Sequence, residues 1–259
     1  MNVVLVAEES AGIGALRRLS ESPHRIVAVL ARSEVEGAAR GASVAGLARR
    51  LGLPVWPAER VREAALAATL RAEGVDLLLN VHSLFIIAPE VLEAPTLGSF
   101  NLHPGPLPRY AGLNAPSWAI FEGEREHAVS LHWLAAGIDT GPIAYTASFE
   151  LTESDTGLSA SAKCVRHGLP LVSRLLEDAE RGAVPRREQD PAGRRYFDAR
   201  PPYGGTLPWT LTARRAVDLV RAADYRPFRS PWGHPSTLLG AEELRVVQAA
   251  RTGEPAAQP

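Results

Sequence analysis

The sequence predicts an α/β protein, a doubly wound, open and mostly parallel sheet followed by a small C-terminal α+β module. Apolar runs at Val3-Val-Leu-Val-Ala7, Arg25-Ile-Val-Ala-Val-Leu30 and Asp76-Leu-Leu-Leu-Asn-Val81 lack the polar alternation of a half-solvated strand, so they read as strands buried on both faces. Helical segments lie between them, and a strand that returns parallel needs such a crossover. The chain has 259 residues, 46% hydrophobic and 22% charged, which is ordinary for a folded globule with a sizeable core.

The elements follow in order. After the first strand a helix is expected around Ile13 to Leu19, and the run from Arg25 then completes a βαβ unit. A helix over Val44 to Leu51 stops at Gly52, the short strand Leu53-Pro-Val-Trp56 follows, and a helix over Val61 to Glu73 stops at Gly74. The Asp76 strand, a helical turn from Pro89 and a fifth strand, Gly98-Ser-Phe-Asn-Leu-His103, continue the alternation. Two more strands are expected over 127–134 and 142–151. A long helix over 155–181 is marked by Leu158, Val165, Leu169, Val172, Leu175 and Leu176, with Pro170 as a possible kink. The catalytic domain is thus expected over 1–181. A connector rich in Arg, Pro and Gly spans 182–205, and a small module with a frayed tail spans 206–259, offering a helix over Thr210 to Ala222 and short strands up to Val247.

Composition excludes several classes. Lys plus Arg (28) nearly balances Asp plus Glu (29), so no long-range field draws the chain to nucleic acid or an anionic membrane. The amino terminus has neither the basic flank nor the apolar stretch of a secretory signal, no later stretch is apolar enough to span a bilayer, and a cytoplasmic location is expected. Cys164 is the lone cysteine and reads as buried filler. His127 and His132 flank one strand without a third ligand at metal spacing, so no metal is expected. Gly12-Ile-Gly14 suggests a dinucleotide loop, but Arg17 stands where the third glycine belongs, and Glu8 and Glu9 would repel a phosphate there.

Ligands of an open α/β sheet sit at the carboxyl ends of its strands, which directs attention to the stretch from Phe100 to Trp118. It leaves the fifth strand and enters a loop stiffened by prolines at 104, 106 and 108. Strand alternation puts Asn101 and His103 on one face at the strand end, where an amide and an imidazole can stabilise a developing oxyanion or move a proton. Alone, Asn-x-His also reads as a strand-end cap. Gly137-Ile-Asp-Thr-Gly-Pro142 lies between two expected strands and offers Asp139 to orient His103 or a water, or merely to cap turn amides.

Asn101-Leu-His-Pro followed by Leu-Pro-x-Tyr-x-Gly and then by Gly-Ile-Asp-Thr-Gly resembles the folate-dependent formyltransferases, over roughly residues 1 to 180 and most strongly from 76 to 158. The resemblance implies a Rossmann-like catalytic domain of the formyltransferase fold. It implies catalytic Asn101, His103 and Asp139, and N10-formyltetrahydrofolate as donor. Asn101 and His103 would polarise the formyl carbonyl, and Asp139 would set the imidazole's protonation and a relaying water. The pterin pocket would be formed by Leu84, Phe85, Ile86 and Ile87 together with Ala135, Ala136, Gly137 and Ile138. Leu107-Pro108 would be a cis bond.

The tRNA enzymes of that family carry a basic insertion after the second strand and a longer terminal domain. Here the stretch reads Ser33-Glu-Val-Glu-Gly-Ala-Ala-Arg40, and Gly204-Gly-x-x-x-Trp209 opens a short terminal module. Glu8 and Glu9 argue against a nucleotide-precursor acceptor. The expected partner is therefore a small-molecule amine, such as an amino sugar, a nucleotide-linked amino sugar or an amino acid, with no nucleic acid and no membrane. Homodimers have family precedent. A methionyl-tRNA formyltransferase is an alternative. So is a formyltetrahydrofolate hydrolase, although hydrolases of this kind carry a preceding regulatory domain and the first strand here begins at residue 2. A non-catalytic folate-binding module ranks last, since it needs no such convergence of Asn, His and Asp.

Overall fold

A computed structural model of the protein describes residues 1–32 and 43–252, so the Ser33 to Arg40 stretch discussed above lies outside the described residues. A seven-stranded sheet organises the chain. Its strands are β1 (Asn2–Ala7), β2 (Arg25–Ala31), β3 (Val55–Pro57), β4 (Leu77–Val81), β5 (Gly98–His103), β7 (Glu126–Trp133) and β8 (Ile143–Glu150), in the spatial order β3-β2-β1-β4-β5-β7-β8. The first five are parallel, whereas β7 and β8 are antiparallel to their neighbours. A two-residue strand, β6 (Ala111–Gly112), pairs outside this sheet with β9 (Tyr196–Phe197).

The apolar runs become central strands because both sheet faces are covered. Val3, Leu5 and Ala7 point into the larger core, which is closed by α1 (Glu9–Ser20), α2 (Val44–Arg50), α5 (Ala115–Glu122) and α6 (Gly157–Glu180). Val4 and Val6 point into a second core under α3 (Leu66–Ala72) and the single turn α4 (Pro89–Leu92). Each Val or Leu so enclosed contributes about 1.5–3 kcal/mol relative to exposure. Gly12 and Gly14 lie inside α1. A Cβ on Gly12 would press on Ala7 and Val44 at 2.9 Å and one on Gly14 would press on Leu169, so close helix packing accounts for the glycine pair.

Two elements differ from the sequence expectation. The helix expected over Val61 to Glu73 is a 3-10 turn at Ala58–Arg62, a break, and then α3 from Leu66. Its first part turns Val61 into the second core, and Glu63 is extended. The proline-rich loop leads into α5, which was not anticipated. Asn114 precedes it in the left-handed conformation, and Pro116 sits in the first turn, where the missing N–H costs nothing. The long helix α6 runs through Pro170 without interruption and opens with a capping box between Thr156 and Ser159.

Beyond the connector, α7 (Ala213–Ala222) packs on α5, and Arg215 donates to the Phe121 carbonyl at 2.6 Å. Leu207, Leu219 and Ala222 join the larger core. The hairpin of β10 (Ser236–Leu239) and β11 (Glu242–Arg245) follows. Among the described residues no helix is long and apolar enough to cross a membrane.

Candidate active site

The parallel-to-antiparallel change at β5 builds the site. Asn101 lies directly opposite Asn80 on β4 and opposite His132 on β7, so one level of the sheet carries three polar side chains in a row. Asn80 Nδ2 donates to Asn101 Oδ1 at 2.9 Å, which leaves the Asn101 Nδ2 hydrogens facing the other way. They meet His132 Nε2 at 3.1 Å and Asp139 Oδ1 at 3.4 Å. His132 Nδ1 lies 2.8 Å from the Trp133 carbonyl oxygen and must donate to it, so in the neutral ring Nε2 accepts from Asn101.

His103, two residues on along β5, is almost fully buried. Its Nε2 donates to the Tyr110 carbonyl at 2.6 Å, and its Nδ1 faces Asp139 Oδ2 at 3.5 Å. Asp139 also receives the backbone N–H of Gly112 at 2.8 Å and lies 3.5 Å from His132 Nε2. Asp139 is therefore in contact with both of the other residues singled out in the sequence, Asn101 and His103.

The proline loop makes these contacts possible. The Leu107–Pro108 bond is cis, as the resemblance implied, and Leu107 N–H donates to Ser130 Oγ on β7 at 3.1 Å. The loop returns through β6, bringing the Tyr110 carbonyl to His103 and the Gly112 amide to Asp139. Gly112 has φ +94°, and a Cβ there would overlap the Phe197 carbonyl, so no other residue fits. Buried His127 fastens the loop start through Nε2 to the Pro104 carbonyl at 2.9 Å.

Asp139 itself is left-handed, with φ 52°. Such a conformation in a non-glycine residue persists only where surrounding contacts hold it, and it concentrates at functional sites.

Charge follows from these contacts. Burial alone would raise Asp139, but the neighbouring His103 and His132 and the Gly112 bond outweigh it and hold the carboxyl well below the usual range. Burial lowers His103, while Asp139 and the Tyr110 carbonyl pull the other way. The ring therefore rests neutral with its hydrogen on Nε2. Its bare Nδ1 points at a carboxylate that stabilises the imidazolium once a proton arrives.

The two apolar segments differ in exposure. Leu84 (63% exposed), Ile86 (70%) and Ile138 (46%) present large apolar chains to solvent, an arrangement suited to a flat ligand. Ala135, Ala136 and Gly137 are exposed beside Ile138. Ile87 is buried and Phe85 half-buried in the second core, where Arg32 and Arg62 lie over the Phe85 ring, so these two anchor the segment. Glu8 accepts the Arg32 amide at 2.9 Å, and Glu9 faces His82 at 3.5 Å, so two carboxylates stay at the first loop.

Sequence reasoning missed Asn80, His132, the Gly112 amide and Gln189. Gln189, in the expected connector, donates to the carbonyls of Asp139 at 2.9 Å and Gly141 at 2.6 Å. Arg194 donates to the Ile138 carbonyl at 2.8 Å. Cys164 lies at the edge of this region with its Sγ 3.6 Å from the Pro104 carbonyl, and burial pushes its thiol up, away from nucleophilic use. Among the described residues no group of three or more His, Cys, Asp or Glu is arranged to hold a metal.

The chain is similar to known proteins in sequence and in fold. A methionyl-tRNA formyltransferase of Anaeromyxobacter dehalogenans (strain 2CP-C) is 30% identical over all of this chain and 83% of its own length. In fold, the chain is similar to a sugar N-formyltransferase from Shewanella sp FDAARGOS_354, with a TM-score of 0.73, 17% identity, and 98% and 99% of the two chains covered. It is also similar to the N-formyltransferase from Helicobacter canadensis solved with folinic acid and dTDP-3-aminofucose, with a TM-score of 0.69, 18% identity, and 85% and 79% covered. The family model described as formyl transferase matches residues 1–169, which include Asn101, His103 and Asp139, and the chain belongs to the formyl transferase family.

Proposed function

We propose that the protein transfers the formyl group of N10-formyltetrahydrofolate to the amine of a small-molecule acceptor, with Asn101, His103 and Asp139 as catalytic residues. The observation that carries this reading is the contact set through which Asp139 joins Asn101 and buried His103, in which His103 keeps a bare Nδ1 beside an ionised Asp139. The acceptor nitrogen attacks the formyl carbon, and the carbonyl oxygen takes the negative charge. The Asn101 N–H held only by the 3.4 Å contact to Asp139 turns to that oxygen. His103 is buried, so the amine proton reaches Nδ1 through a water held by Asp139 and is delivered to the departing N10 as the C–N10 bond breaks. The pterin would lie between Leu84 and Ile86 on one side and Ala135 to Ile138 on the other.

A small acceptor is supported by the near-neutral charge, and by the connector arginines being engaged within the chain. Arg194 binds the Ile138 carbonyl, Arg195 pairs with Glu122, and Arg200 pairs with Asp198. A tRNA acceptor is the second reading, favoured by the 30% identity to methionyl-tRNA formyltransferases.

The test is tetrahydrofolate release from N10-formyltetrahydrofolate with amino sugars, nucleotide-linked amino sugars, amino acids or methionyl-tRNA, with product mass read in parallel. Release with one small amine class and a formylated product supports the proposal. Formylation of methionyl-tRNA alone supports the second reading, and release without any acceptor indicates a hydrolase. Folate binding that survives His103→Ala while turnover is lost separates catalysis from simple binding.

A further inference from the structure

Residues 185–197 form a strap around the Asp139 loop. At one end the Pro185 carbonyl accepts the Trp133 indole N–H at 2.8 Å, and Arg187 exchanges both backbone bonds with Ile143 at the start of β8. At the other end β9 pairs with β6, the strand that carries the Gly112 amide to Asp139. Between these fastenings lies Gln189, whose amide nitrogen meets the carbonyl oxygens on both sides of Thr140. Only a nitrogen fits there, because the amide oxygen would face two acceptors. The Gln189 Oε1 is accordingly buried without a partner among the described residues.

We infer that Gln189 is a positioning residue for the reaction: its two hydrogen bonds hold the Asp139 peptide in its left-handed turn and so fix the carboxylate against His103 and His132. The backbone around Asp139 has reason to relax. A non-glycine residue at φ 52° is strained, and the Asp139 and Gly141 carbonyls are directed at Gln189. Without the amide, both carbonyls lose their donor and the turn is free to unwind, carrying the carboxylate away from His103 Nδ1. Arg194, bound to the carbonyl just before Asp139, steadies the same turn from the other side.

The inference rests on the formyl-transfer reading only for its turnover readout, so the deciding measurement needs no turnover. In full-length protein labelled with 15N-histidine, the ring titrations of His103 and His132 are compared among the parent, Gln189→Ala and Gln189→Glu. Asp139, His82 and His127 are the other titrating groups coupled to the His103 ring, and among their charges only the Asp139 carboxylate attracts the imidazolium. With Asp139 displaced, His103 titrates at lower pH than in the parent, while histidines without a contact to the Asp139 loop serve as the reference. Gln189→Glu keeps the size of the side chain but turns an ionised oxygen to two carbonyls, so its turnover falls at least as far as that of Gln189→Ala, while its added charge raises the nearby imidazoles relative to Gln189→Ala. With the acceptor in hand, kcat falls about 10–100-fold in both variants, as expected for a misplaced catalytic group. Gln189→Glu turning over like the parent would show that the side chain only fills space. Unchanged His103 and His132 titrations in Gln189→Ala, with only a lower melting temperature, would equally overturn the inference.

Discussion

Asp139→Asn removes one charge and leaves the shape of the site. The carboxylate lies 3.5 Å from His103 Nδ1, and both side chains are buried. At an effective dielectric of about 20, unit charges at that distance attract by about 5 kcal/mol. That attraction acts on the imidazolium formed during transfer and is absent from the resting neutral ring, so it bears on the barrier. At about 1.4 kcal/mol per factor of ten, its loss lowers kcat by roughly a thousandfold. With its oxygen on the Gly112 N–H the new amide keeps an oxygen facing His103 Nδ1 and turns its nitrogen toward His132 Nε2, so what His103 loses is the charge. The assay is steady-state tetrahydrofolate release at saturating donor and acceptor, with circular dichroism and a thermal melt to establish that the variant is folded. A folded Asp139→Asn enzyme that keeps more than a tenth of the parental kcat would refute the role given to the carboxylate.

Burial pushes His127 down to about 4 against the Pro104 carbonyl's upward pull, so the unfolded chain takes up its proton before the folded one does. Stability due to this residue is intact above about pH 6.5 and declines by about 3 kcal/mol as pH falls toward 4. His127→Asn should flatten urea-midpoint profiles across that window, and an unchanged slope would show that His127 is not the cause. Gly112→Ala meets the Phe197 carbonyl at a φ of +94°, so it should lower stability by about 2–4 kcal/mol in a urea titration and abolish turnover. Leu84→Asp and Ile86→Asp alter exposed chains, so melting temperatures should hold while donor affinity measured by calorimetry falls at least tenfold; unchanged affinity would place the pterin elsewhere.

Much of this architecture is readable from the chain because strands buried on both faces leave uninterrupted apolar runs. The run Gly98–His103 marks β5 to the residue, and alternation along it places Asn101 and His103 on one face. Asp139 is legible through its glycine-flanked turn. His132 is not, since its pairing with Asn101 depends on the register of β5 against β7, which no local pattern encodes. Gln189 reads as one polar residue in a solvated linker, because a side-chain amide that bonds across 50 residues leaves no periodicity to detect. The helix α5 hides behind Pro116, a residue disfavoured in helices beyond their first turn.

The row Asn80, Asn101 and His132 bears on how such chemistry can be found or transplanted. These side chains lie in a line perpendicular to the chain direction, on three strands with two sheet ladders between them. A search for a short contiguous signature retrieves Asn-x-His but is blind to the residues that orient the asparagine. A design that grafts the loop alone onto another scaffold would carry over the reactive groups without their alignment. The unit to move is a cross-section of the sheet, one residue deep and three strands wide. Such a slice exists only after the strands have met, so the geometry of the row itself reports on whether the sheet has closed.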